Sequence, residues 1–556
     1  MLTPARRLSR AERGGAERGG AERGAATVAT TRATDSHRGV SFSFDNKSQL
    51  RATVMAYAYL ALAAAACYLL YRYVTRNFSY WEQRNVNGPR PVPLFGSLQA
   101  SALRKRNIAV VFRDIYNQFP NDKVVGMYRM TTPCLLVRDL DIAKAILIKD
   151  FDYFSDRGVS FSERGLGNNL FHADTDIWRV LRNRFTPIFT STKLKNMVYL
   201  MEQGGDRFVE YLQGLCAERQ EQELHPLIQR YTVATISACA FGLDFDTIAD
   251  KMHVLQKLDD IIFSPSFIDE VDMMFPGVLK KFNMDIFPKE ISDFFDSLVT
   301  KVVTQRNGKP TSRRDFMDLI LELRQQREIQ GPKRSSEEQQ RTLELTDDII
   351  AAQAFVFYAG GYETSASTMS FMLYELARNP DVQERVIQEV DEVMMKYDGK
   401  LTFEALNELK YMEQVFDETL RLYPIVDPLQ RRAQQDYQIL GTDVTVKKGQ
   451  MVFVSAGGIH RDAQYYPDPD RFDPDRFSPE NASKRHPCAY MPFGVGPRNC
   501  IGMRFAKIQS RTCLAKIFSS FRVSGTREVM QDVRFVPRRF ILGSAPLKIN
   551  IIPRKL

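Results

Sequence analysis

The sequence predicts a mainly α-helical body with a small β part, preceded by one membrane-crossing helix. Three observations predict it. Apolar residues recur at helical spacing through most of the chain beyond about residue 100, and one such pattern runs unbroken from Thr346 to Arg378. Short strand-like runs stand between them, and Pro and Gly become frequent only after Pro424. Ala52–Tyr71 is the one stretch of twenty residues without a charge. At 556 residues, 44% apolar and 26% charged, the chain has ample material for a large core. Disordered and collagenous classes are excluded. The seven Cys include no C-x-x-C spacing, so neither a zinc ribbon nor a disulfide framework fits, and a reducing environment is expected.

The elements follow in order. Residues 1–51 carry ten Lys/Arg against five Asp/Glu, which is +5 of the net +9. The +4 left over the other residues argues against a nucleic-acid binder. Residues 11–24 repeat A-E-R-G-G, so 1–51 is expected to be a disordered, low-complexity extension. Residues 52–71 form the anchor, about 30 Å long as a helix. Arg72, Arg76, Arg84 and Arg90 follow it, which places the bulk of the chain on the cytosolic side. Aromatic Tyr73, Phe78, Tyr80 and Trp81 are expected at the membrane interface. Residues 72–98 read as a basic, Pro-rich linker, stiffened by Pro89, Pro91 and Pro93.

Residues 99–556 form the body. Helices are expected over Ile108–Phe119, Leu140–Ile148, Lys193–Leu215 and Leu224–Phe241, with strands over Lys123–Met130 and Pro133–Val137. Phe263–Phe287 has poor periodicity, and Gln325–Glu344 is polar and solvated. The long helix begins at the cap Thr346, with Asp347 and Asp348 at its positive end, and stops at Asn379-Pro380. Pro380–Lys396 and Phe403–Leu422 are further helices, and Gln450–Val454 and Lys548–Ile552 are strands.

The chemistry concentrates in Phe493-Gly494-Val495-Gly496-Pro497-Arg498-Asn499-Cys500-Ile501-Gly502. A sulfur just before a helix N-terminus meets N–H donors and a positive dipole end, which favour the thiolate. The glycines let backbone or a flat cofactor approach closely. This F-x-x-G-x-R-x-C-x-G run resembles the haem-binding signature of the cytochrome P-450 family at every fixed position. The resemblance extends over roughly residues 76–556. It implies that family's fold, haem b held non-covalently, and Cys500 as the axial ligand of the iron.

Further residues carry the same resemblance. Glu418 and Arg421, one helical turn apart, are implied to form a buried ion-pair network with Arg476 of Phe472-Asp473-Pro474-Asp475-Arg476-Phe477; Asp475 stands where Glu is commoner in the family. Gly360-Gly361-Tyr362-Glu363-Thr364 interrupts the long apolar helix. Two glycines there need a packing or functional reason. Either they let another helix cross closely, or, as the resemblance implies, they open a groove for oxygen over the haem. In the second case the Thr364 hydroxyl, bonded to the carbonyl of Gly360, steadies oxygen and its proton supply, and Glu363 delivers protons. Trp178 and Arg182 share a helix face and resemble the family's haem-propionate contacts. Arg431, Arg157 and Arg498 are implied as further propionate partners, with Phe493 and Gly361 beside the haem.

An axial thiolate favours O–O cleavage. The implied reaction is R–H + O₂ + two electrons + two protons → R–OH + H₂O. No dinucleotide or flavin fingerprint is present, so electrons must come from a partner. The resemblance implies the NADPH-dependent cytochrome reductase, with cytochrome b5 as a second donor, in the endoplasmic reticulum membrane. Arg504, Lys507, Arg179, Lys193 and Lys195 offer a basic face for an acidic partner. A haem-thiolate isomerase or dehydratase, and a haem protein that only binds a ligand, are the rivals; Glu363 and Thr364 argue against the first. Phe161, Phe171, Phe355, Val426–Leu429, Phe540–Leu542 and the 263–287 region suggest apolar pocket walls and a lipophilic substrate. Leu422–Arg431 and Ala359–Thr364 look most like insect microsomal enzymes that act on plant toxins and insecticides; a hydroxylase of endogenous lipids or hormones is the alternative.

Overall fold

In the computed structural model, the described residues are 45–159, 165–243, 259, 261–264, 281, 282, 284, 287–313, 315–325, 328–331, 342–527 and 532–554. The expectations for residues 1–44, for Phe161, and for most of 263–287 and 325–344 lie outside them. The chain divides into two units, 1–68 and 69–556.

Within the first unit, helix α1 starts at Asp45; it runs to Thr75, in the second unit. Its Gln49–Thr75 portion is long and apolar enough to cross a membrane. Leu60, Leu62 and Tyr57 are each more than 60% exposed.

The second unit holds everything else. The segment expected to be a linker is packed from Asn77 onward. Asn77 donates to the Thr131 carbonyl at 3.0 Å, and Asn87 accepts from the Gly126 amide at 2.8 Å. Trp81, expected at an interface, is instead buried and donates to the Met127 carbonyl at 2.9 Å. A Cβ on Gly126 would stand 2.4 Å from the Trp81 ring, so the missing side chain makes the seat for the indole.

Helix α2 (Ile108–Gln118) leads into the hairpin β1 (Val124–Arg129) and β2 (Thr132–Val137). Helix α3 (Thr175–Phe185) precedes α4 (Val198–Glu218), β3 (Glu221–Glu223) and α5 (Leu224–Ile236). The long helix α6 (Asp347–Arg378) has its Thr346 hydroxyl accepting from the Ile349 amide, the expected cap. Twenty-five of its residues are buried, which is why its apolar pattern covers the whole circumference. Helix α7 (Lys410–Leu422) starts separately from a short helix Phe403–Glu408, so the single helix expected over Phe403–Leu422 is broken at Leu409. Strands β4 (Leu429–Arg432) and β5 (Met451–Val454), helix α8 (Met503–Ser520) and strands β6 (Phe521–Gly525) and β7 (Lys548–Pro553) complete the elements used below.

The main sheet has the order β1-β2-β5-β4, with β2 and β5 parallel and the other pairs antiparallel. A second sheet, β6-β7-β3, is antiparallel. One apolar core surrounds α6, and a smaller one packs beneath the main sheet. The Cys500 loop lies between residues of both: Phe493 and Ile501 pack on the first, Val495 on the second.

Candidate haem-thiolate site

The loop before α8 is shaped by two left-handed glycines. Gly494 has φ +67° and Gly496 +76°, and a Cβ on Gly496 would stand 2.0 Å from the Leu147 carbonyl oxygen. No other residue type fits there. The Cys500 amide donates to the Phe493 carbonyl at 2.8 Å and closes the loop. His460, fully buried, accepts from the Met491 amide at 2.9 Å through Nε2 and anchors the loop's start. Arg182 grips its end, donating to the Asn499 carbonyl at 2.8 Å and to Asn499 Oδ1 at 2.7 Å. Cys500 itself retains accessible surface. Desolvation nevertheless pushes its thiol up, opposed by the Gly502 amide and by the guanidiniums of Arg182 and Arg157. Desolvation thus outweighs the lowering expected from the following helix end.

Three buried or half-buried arginines converge beside this loop. Arg498 donates one Nη to the Ala173 carbonyl at 3.1 Å and lies 4.3 Å over the Trp178 ring. Arg157 donates to the carbonyls of Phe171 at 3.0 Å and Arg498 at 3.1 Å. Arg431 donates to the Gln430 carbonyl at 2.8 Å. Arg498 Nε and Nη1 and Arg431 Nε are buried without a partner. The nearby carboxylate of Asp156 is already engaged by Arg432 and by the Gly158 amide. Desolvation, then repulsion from Arg157, lowers Arg498 to about 8 and Arg431 to about 9; desolvation, opposed by Cys500, lowers Arg157 to about 10. Unpaired buried N–H groups of this kind are costly unless an anion meets them. A flat cofactor with two carboxylates and a thiolate-seeking metal fits these residues.

Of the expected pair, Arg182 is held by Asn499 and Trp178 stacks on Arg498.

The two glycines of α6 also separate. A Cβ on Gly361 would meet Ile236 of α5 at 2.6 Å, whereas one on Gly360 would meet nothing within 4 Å. Gly361 is therefore a close helix crossing, and Gly360 borders open space. The two point about 100° apart on a helix. Thr364 is on the open side and donates to the Gly360 carbonyl at 2.7 Å, as expected. Glu363 is on the other side and fully buried. It accepts from Gln229 at 2.8 Å and Arg539 at 2.9 Å and lies 2.9 Å from His225 Nε2. So fastened, it is held by α5 and by Arg539.

The structural trio is brought together. Arg421 holds Glu418 through two bonds of 2.7 and 2.8 Å and also caps the carbonyls of His460, Pro469 and Arg471. Arg476 stands 3.6 Å from Glu418. Asp475, the unusual residue, pairs with Arg385 at 2.9 Å.

Of the five cations expected on a docking face, Lys507 turns inward to Glu413 at 2.9 Å and Asp417 at 3.1 Å. Arg179 pairs with Asp152 and Lys195 with Glu404. Arg504 stays exposed. Sequence reasoning missed Arg539, His225 and Gln229, each more than 130 residues from Glu363 in the chain.

Comparison with known proteins agrees with this geometry. Residues 86–551 match the family model described as Cytochrome P450. The chain belongs to the cytochrome P450 family, the haem-thiolate monooxygenases. It is 54% identical over 488 residues to cytochrome P450 6B6 of Helicoverpa armigera, covering 88% of this chain and 96% of that protein. It is 55% identical over 464 residues to cytochrome P450 6B5 of Papilio glaucus, covering 84% and 97%. It is 36% identical over 504 residues to cytochrome P450 6a2 of Drosophila melanogaster, covering 88% and 97%.

Proposed function

We propose that this chain inserts one oxygen atom of O₂ into a lipophilic small molecule of the plant-toxin or insecticide class. Two electrons come from an NADPH-dependent cytochrome reductase, with cytochrome b5 as a second donor, at the endoplasmic reticulum membrane and on its cytosolic side. The observation that carries this reading is the accessible Cys500 beside Arg498 and Arg431, whose buried N–H groups lack an acceptor among the described residues.

Haem, when bound, supplies the oxygen-activating redox chemistry. Cys500 provides its thiolate ligand, Arg431 and Arg498 neutralise its carboxylates, with Arg157 beside them, and Trp178 backs Arg498. The loop glycines and His460 keep the sulfur in place. Thr364 keeps a hydroxyl, bonded to the Gly360 carbonyl, on the open side of α6, where it can hold a proton for the reacting oxygen. Aromatic rings limit water: Phe287 lies 4.6 Å from Phe355, and His172 is 5.0 Å from Phe171 and 6.3 Å from Phe287. Such a wall suits an apolar, aromatic substrate.

The test is the ratio of product to NADPH in the reductase-reconstituted enzyme. Thr364→Ala removes one hydrogen bond, about 1 kcal/mol, so folding and haem content should hold. Product per NADPH should fall severalfold, with hydrogen peroxide making up the difference. An unchanged ratio removes Thr364 from the reaction; absence of any NADPH-dependent product in the wild type across a panel of lipophiles overturns the monooxygenase reading.

A further inference from the structure

Gln353 is a fully buried amide in the apolar helix α6, and the site described above leaves it without a role. Its Oε1 accepts from the Leu170 amide at 2.9 Å. Its Nε2 donates to the carbonyls of Asn168 at 3.0 Å and of Ile349, one turn back in α6, at 3.2 Å. One side chain thus serves an amide and a carbonyl of the segment 168–170 at once. An apolar side chain of the same length would leave both backbone groups without these partners. Gln353 precedes Gly360 by seven residues and Thr364 by eleven. Each therefore lies within about 20° of it around the helix. The segment is fastened to the side of α6 that borders the open space at Gly360.

The other end of the same segment holds the arginines beside Cys500. Asn169, fully buried, folds the segment on itself. Its Oδ1 accepts from the amides of Phe171 at 2.9 Å and His172 at 3.1 Å, and its Nδ2 donates to the Leu166 carbonyl at 2.7 Å. The Ala173 amide reaches the Asn169 carbonyl at 2.8 Å. So shaped, the segment presents two carbonyls to the cations: Phe171 accepts from Arg157 at 3.0 Å and Ala173 from Arg498 at 3.1 Å. Arg157 closes the set on the Arg498 carbonyl at 3.1 Å. A continuous run of hydrogen bonds and backbone therefore leads from Gln353 to both guanidiniums.

We propose that Gln353 is a positioning residue for the cofactor: by fixing the segment 168–173 to α6 it holds the Phe171 and Ala173 carbonyls, and through them Arg157 and Arg498, where the carboxylates of haem are met. The inference rests on the reading of those arginines as carboxylate partners, and Arg498→Met tests that reading separately.

The experiment is haem transfer from the loaded full chain to excess apomyoglobin, followed in the Soret band. Gln353→Met keeps the side chain's length and removes its three bonds. Gln383→Met is the matched control. Gln383 is also buried, accepts from the Val523 amide and donates to the carbonyls of Leu376 and Val523, each at 2.9 Å, so its bonds join two elements outside the haem site. Both variants should lose thermal stability alike. Only Gln353→Met should quicken haem loss, by about tenfold, the lower end for a partner standing behind a ligand contact. Arg498→Met should quicken it too, and the double variant should fall well short of the product of the two effects, because one acts through the other. The reduced, CO-bound thiolate spectrum of each freshly loaded variant should stay intact. If Gln353→Met does not accumulate folded, Gln353→Glu, which keeps an oxygen for the Leu170 amide, takes its place under the same criteria. Haem loss no faster than in Gln383→Met overturns the proposal, and so does a double variant that multiplies the two effects. Unchanged haem loss in Arg498→Met overturns instead the reading of the arginines.

Discussion

Two groups of buried arginines flank the Cys500 loop and differ in one respect. Arg421 has every stated bond directed at a carboxylate or carbonyl: Glu418, His460, Pro469 and Arg471. Arg498 and Arg431 instead keep three buried N–H groups with no acceptor. A guanidinium satisfied by its own chain holds the fold; two left unsatisfied beside an accessible thiol suit a ligand's negative charge. The same contrast separates Gly361, pressed on Ile236, from Gly360, open for 4 Å.

Breaking the satisfied group should have the largest effect. Glu418→Ala strands Arg421, whose side chain is fully buried, and removing one partner of such a pair costs about 3–5 kcal/mol. Folded, haem-containing protein should fall below detection in expression trials and size-exclusion profiles.

Arg498→Met sharpens the comparison because its sign depends on the ligand. In the haem-free chain it removes a cation whose environment already depresses its pKa to about 8, so apoprotein thermal stability should hold or rise by about 1–2 kcal/mol, the scale of an unsatisfied buried group. The loaded protein should lose haem faster and melt lower. Melting curves of both forms check this; a fall in the apoprotein alone would make Arg498 another Arg421.

A smaller effect concerns Asp427, which accepts from the Ala456 amide at 2.7 Å and Ser455 at 3.1 Å. Desolvation raises it to about 7. A carboxyl raised above its unfolded value favours folding while protonated, and that contribution is lost as pH climbs from about 4 towards 7. The wild type should therefore lose stability across that window, and Asp427→Asn should flatten the dependence in chemical denaturation at pH 5 and pH 7.5.

The contrast between local and distant signals also explains what could be read in the sequence. The long helix, its Thr346 cap, three of the four strands of the main sheet and the Cys500 loop are written in contiguous residues, where period, caps and glycines act directly. The Thr364–Gly360 bond follows from helix geometry alone. What could not be read depends on pairing across the chain. Trp81 looked interfacial because Gly126, its seat, is 45 positions away. The two acceptors that Asn499 offers Arg182 lie 317 residues on. Glu363 was assigned by motif, yet Arg539 and His225 decide where it points.

The central claim is that Cys500 is the ligand for which the loop, the glycines and the unpartnered arginines are arranged. The most direct measurement is the visible spectrum of the reduced, CO-treated protein, wild type against Cys500→Ala and Cys500→His. The wild type should show the red-shifted thiolate Soret band. Cys500→Ala should lose it entirely, and Cys500→His should show at most the band of an imidazole-ligated haem. A thiolate band that survives in Cys500→Ala would assign the metal to another cysteine and contradict the account.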